Sequence, residues 1–141
     1  MRIEGKLEKM GVVIDTDVLI DLLRDKEYAV SKIKELEKED ELATTDINAF
    51  ELYFGAYNSR DKERNIVSTR GLLGTLKLLH TQEDSMEMAG RIFAERKAKG
   101  KMIEIRDLLI AAITLQNGYR LFTNNVSHFE GIEGLPFQDL K

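Results

Sequence analysis

Three carboxylates stand where they could do phosphate chemistry together. Asp15 directly follows the β-branched run Val12-Val13-Ile14, Glu51 lies in the first turn expected for the helix after Leu42-Ala43-Thr44, and Asp107 opens the apolar segment Leu108 to Leu115. Asn125, just beyond Arg120-Leu121-Phe122-Thr123, adds a neutral oxygen. Each position alone also suits a helix start: Asp15 as a strand-end residue, Asp17 as a cap, Asn48-x-x-Glu51 as a capping box, Asp107 at the positive end of a helix dipole. Together, carboxylates from distant parts of the chain would repel one another unless a cation lay between them. With no cysteine and two histidines, Cys-based and His-rich metal sites are excluded. Oxygen ligands favour Mg2+ or Mn2+. Such an ion lowers the pKa of bound water and steadies charge on a phosphoryl oxygen, so the chemistry that follows is phosphoester hydrolysis.

These groups need a scaffold that gathers strand ends. Short apolar runs predict strands at 12–14, 42–44, 76–79 and 120–122, with a weak edge strand at 135–137. Between them, helical spacing predicts a short helix over 18–23, one bearing Ala29, Val30, Ile33 and Leu36 that ends in the solvated charge run Glu37 to Glu41, and one over 48–57. Further helices follow: one opened by Asp61 and closed by Gly74 with Ile66, Arg70 and Leu73 on one face, one over 83–99 striped by Met86, Ala89 and Phe93, and a buried one over 108–115. Gly100 and Gly118 mark helix ends. Strands alternating with helices predict a three-layer α/β/α domain with a central, mostly parallel sheet. In such sheets ligands gather at the carboxyl ends of the strands, which is where the acids fall.

A chain of 141 residues fits one domain, here residues 11–141 after an extension at 1–10. Charged residues make up 33% of the chain, above the usual share of about 25%. The net charge is −4, which argues against binding nucleic acid through bulk electrostatics. A local exception runs from Arg91 to Arg106, where six basic residues (Arg91, Arg96, Lys97, Lys99, Lys101, Arg106) meet two acids (Glu95, Glu104). It is a candidate phosphate track. No apolar run reaches membrane-spanning length, and the first ten residues mix charges where a signal peptide needs an apolar core. Cytoplasmic residence without a membrane is the expectation.

Four motifs in order carry a family resemblance. Val13-Ile14-Asp15-Thr16-Asp17, Phe50-Glu51-Leu52-Tyr53-Phe54-Gly55, Arg106-Asp107-Leu108-Leu109-Ile110-Ala111-Ala112 and Thr123-Asn124-Asn125-Val126-Ser127-His128-Phe129 resemble the PIN-domain ribonucleases, and within them the VapC-type toxins of toxin–antitoxin pairs. The resemblance spans nearly everything from Val12 onward. It implies a metal-dependent endoribonuclease acting on single-stranded RNA. Asp15, Glu51 and Asp107 would hold Mg2+ or Mn2+, with Asn125 as an auxiliary ligand and Thr123 orienting the site. Lys101 and Arg106, nearest the third acid, are the candidate RNA contacts. A homodimer and a small antitoxin are the implied partners, and the helices bearing Leu22, Leu23, Phe50, Phe54 and Tyr57 look more apolar than one small core requires. Asn125 departs from the Asp of many relatives, which removes one negative charge and weakens any second ion site. His128 stands where an acid is common. Two other readings remain open: a haloacid-dehalogenase-like phosphatase, from Asp15-x-Asp17, and a non-catalytic PIN-fold binding module.

Overall fold

A computed structural model describes residues 10–138. Four strands form one sheet in the order β3-β2-β1-β4, with β1 at Met10–Ile14, β2 at Asp40–Thr45, β3 at Lys77–Leu79 and β4 at Arg120–Phe122. All three pairings are parallel. Val12, Val13 and Ile14 are fully buried, as parallel strands covered on both faces must be. Successive side chains point to opposite faces, so the two cores share β1. Val12 and Ile14 pack with Phe122, Val18, Leu19, Ile33 and Leu52 on one side. Val13 packs on the other with Ala43, Leu121 and the apolar residues around Ile110 and Ile113.

The first layer holds α1 (Thr16–Leu23), α2 (Glu27–Leu36), α3 (Asp46–Tyr57) and α4 (Lys62–Leu73), and the second holds α5 (Glu83–Ala98) and α6 (Ile105–Gln116). Gly100 and Gly118 take positive φ after α5 and α6, the left-handed stop that glycine tolerates. The expected edge strand is reduced to one parallel bridge, Phe137 to Leu121, on the outer side of β4.

Several expectations shift in detail. β1 opens at Met10, one residue inside the predicted extension, whose residues 1–9 lie outside the described residues. β2 begins at Asp40, within the run expected to be solvated. On α4 the buried residue is Thr69, with Ile66 and Leu73 only half-buried. On α5 the inward stripe is Ser85, Ala89 and Ile92, while Met86 is 40% exposed. Ser85 can face inward because its hydroxyl accepts from Gln82 N and donates to Gln116 Oε1, both at 3.0 Å, which satisfies a buried polar group. The predicted cap Asn48 is the third residue of α3, not its start. Thr45 is the cap, and the two form a reciprocal capping box. Glu51 therefore stands in the second turn of α3, not the first.

Gly11 lies close against the Tyr119 ring, so a Cβ there would fall well inside van der Waals contact of that ring. Gly11→Ala is expected to cost about 1–3 kcal/mol through overpacking, read as a lower midpoint in chemical denaturation. An unchanged midpoint would show that Tyr119 swings aside freely.

Candidate active site

The site is built on the carboxyl edge of β1. Asp15 N continues the ladder by donating to Phe122 O at 2.9 Å, which leaves the side chain at the N-cap of α1. Its carboxylate is only 1% exposed and fully engaged. Oδ1 accepts from Thr16 N (2.8 Å), Asn48 Nδ2 (3.0 Å) and Arg106 NH2 (2.9 Å), and Oδ2 accepts from Thr123 Oγ1 (2.8 Å). These donors satisfy a buried charge that would otherwise be costly.

Glu51 reaches the same point from α3 and Asp107 from the first turn of α6. The cation that must separate converging acids is supplied by the chain itself. Arg106 donates through Nε to Glu51 Oε2 (2.8 Å), through NH2 to Glu51 Oε1 (2.6 Å) and Asp15 Oδ1 (2.9 Å), and through NH1 to Asp107 Oδ1 (2.6 Å). The fork on Glu51 is bidentate, the strongest geometry available to a guanidinium. Burial alone would raise the Glu51 carboxyl, but the Arg106 and Thr16 hydrogen bonds hold it below the usual range. The hydrogen bond to Glu51, with the surrounding acids, pushes the guanidinium further toward its charged form.

Asp17 is not the cap of α1; that position belongs to Asp15. From the first turn its Oδ1 accepts from Val18 N (2.8 Å), and its Oδ2 accepts from Asn124 N (2.9 Å) and Asn125 Nδ2 (3.2 Å), tying α1 to the segment after β4. Burial, then the Asp15 charge, raises its pKa. Thr123 meets Asp15 as an orienting residue would. Asn125 faces Asp17 and is held at its backbone N by Thr123 Oγ1 (3.0 Å), with no hydrogen bond to the three acids among the described residues. His128 Nδ1 lies 3.9 Å from Asp107 Oδ2, half exposed.

Two further residues complete the site and are not singled out by sequence. Thr16 Oγ1 donates to Glu51 Oε1 (2.6 Å), and fully buried Asn48 donates to both Asp15 Oδ1 and Thr16 Oγ1 (2.9 Å) while accepting from Thr45. Their signal is slight: a hydroxyl beside the first acid, and an amide already noticed as a cap. Lys101 lies apart from the acids. It lines a groove of about 710 Å³ with Arg91, Arg96 and Lys99, opposed by Glu95 and Glu133.

Asp15, Glu51 and Asp107 supply the hard oxygen donors that a divalent cation prefers. Among the described residues no three acids or histidines are drawn together tightly enough to hold an ion as they stand. A guanidinium lies between them in its place, a stand-in cation touching all three.

Comparison with known proteins identifies the family of the fold. The PIN-domain family pattern matches residues 12–133. Ribonuclease VapC2 of Haemophilus influenzae is 30% identical over 124 residues, which cover 87% of this chain and 92% of that protein. Ribonuclease VapC3 of Methanocaldococcus jannaschii is 33% identical over 104 residues, covering 74% and 98%. The VapBC2 structure from Rickettsia felis, bound to a DNA fragment from its promoter, superposes with a TM-score of 0.86 at 25% identity, covering 92% of this chain and 98% of that one. The chain belongs to the PIN-domain family, in its VapC ribonuclease branch.

Asn48→Ala should cost about 2–4 kcal/mol, combining the lost Asn48 half of the Thr45 capping box with a buried carboxylate short of one donor. Denaturation should register it as a clear fall in midpoint; a change within about 0.5 kcal/mol, the range of ordinary surface substitutions, would mean that Asp15 needs no such support.

Proposed function

We propose that this protein is a metal-dependent endoribonuclease that hydrolyses phosphodiester bonds of single-stranded RNA, and that it is the toxin of a toxin–antitoxin pair. The observation that carries the reading is the convergence of Asp15, Glu51 and Asp107 on one cation position at the carboxyl edge of the sheet. These three would hold Mg2+ or Mn2+, whose contribution is to lower the pKa of bound water and neutralise charge on the phosphoryl oxygen. Thr123 keeps the Asp15 carboxylate oriented, and Asn125 offers an uncharged oxygen one residue group further out. Lys101 and Arg106 meet the RNA phosphates, and the basic groove beyond Lys101 gives the backbone a path despite the net charge of −4.

The names of the relatives favour this chemistry over the phosphatase and the non-catalytic alternatives: ribonuclease for the curated sequences, and VapBC assembly for the solved structure. Protein partners fit the exposed face of α3, where Phe50, Phe54 and Tyr57 recur at helical spacing with Phe50 69% exposed. A small antitoxin and a second copy of the chain are the proposed occupants. No helix among the described residues is long and apolar enough to cross a membrane, and the proposed setting is the cytoplasm.

Cleavage of single-stranded RNA should require Mg2+ or Mn2+ and stop when chelator is added, because neutral water is a poor nucleophile without the ion. Asp15→Asn, Glu51→Gln and Asp107→Asn should each abolish it while the fold persists by circular dichroism. Undiminished cleavage in excess EDTA sinks the mechanism. Asn125→Asp sets a second carboxylate against Asp17, so the metal-free melting temperature should fall and the rise on adding Mn2+ should grow. Identical Mn2+ responses would remove Asn125 from the ion's reach.

A further inference from the structure

Arg106 does more than lie near the acids. Its nitrogens engage both oxygens of Glu51 and one each of Asp15 and Asp107, the atoms a bound ion would need. Mg2+ takes oxygen ligands at about 2.0–2.1 Å, so an ion held by these oxygens would need the space in which the guanidinium lies, 2.6–2.9 Å from them. Two cations cannot share it. We infer that Arg106 is an exchangeable internal counter-ion, so that a divalent ion loads the site only by displacing it. The inference rests on the metal-dependent reading above.

The geometry favours exchange over a permanent structural pair. Among the described residues, the five hydrogen bonds given by the guanidinium go to side chains of Asp15, Thr16, Glu51 and Asp107, and none to backbone. Nothing else in those contacts anchors it. The side chain is 30% exposed, at the second residue of α6, next in sequence to exposed Ile105. It can therefore rotate out to water without moving the helix. Two of the acids, by contrast, have donors besides the guanidinium: Asp15 has Thr16 N, Asn48 and Thr123, and Glu51 has Thr16. Those two stay hydrogen-bonded when the guanidinium leaves, while Asp107 is freed to turn toward an ion. The cost of displacement then appears as weakened ion binding, since only the fraction of molecules with Arg106 out is competent.

Mn2+ binding without RNA, measured by isothermal titration calorimetry, tests this on the wild-type chain, Arg106→Ala and Arg106→Lys, each checked for fold by circular dichroism. The dissociation constant of Arg106→Ala should be tighter than wild type by about tenfold or more. Arg106→Lys should fall between, because an ammonium cannot reproduce the fork. The metal-free melting temperature of Arg106→Ala should drop, and its rise with saturating Mn2+ should exceed that of wild type. If Arg106→Ala fails to fold, the Arg106→Lys comparison decides alone. Equal or weaker Mn2+ binding in the variants overturns the inference while leaving the metal reading intact. Absence of binding to every form overturns both.

Discussion

The site is organised around one buried carboxylate. Asp15 is almost wholly removed from water, and an isolated ion in that position would cost several kcal/mol even after relaxation. Its donors come from four places: the start of α1, Asn48 on α3, Arg106 on α6 and Thr123 after β4. Each element is thereby referenced to the same pair of oxygens. The sheet supplies the platform, because Asp15 N still belongs to the ladder with Phe122 and cannot drift without breaking it.

Electrostatics elsewhere follow from that choice. Three acids around one guanidinium leave the cluster net negative, and basic residues are set apart in the groove running from Arg91 to Lys101. Among the described basic residues from Arg91 to Arg106, only Arg106 joins the acids, at the first turn of α6, where it pairs with its sequence neighbour Asp107. A protein with an overall negative charge can therefore present opposite local fields within a short span, one suited to cations and one to phosphates.

Much of this was legible in residue types. Parallel strands buried on both faces must be runs of apolar residues, and Val12-Val13-Ile14 could be little else. Glycines after α5 and α6 announced their helix ends. The acids stood out because parallel sheets place function after strands. Direction was harder to read. A charge count shows a cation beside Asp107, but not that the Arg106 side chain turns inward between the acids, since tertiary packing sets that. Asn48 looked like a helix start because a capping box has the same residue types whichever member leads. The shift from Met86 to Ser85 on α5 escaped the pattern because a buried hydroxyl needs a partner on a distant helix, Gln116, which local periodicity does not contain.

The strand order gives the site a temporal character. β1, the first strand made, is central, while its neighbour β4 is made last, and Thr123 closes on Asp15 across 108 positions of chain. Contacts of such separation form late, after the entropy of the intervening loop has been overcome. A nascent chain that has emerged only as far as α5 lacks Arg106, Asp107 and Thr123 alike, so the acids have no common centre. The common centre therefore forms only after α6 and the segment following β4 have been made.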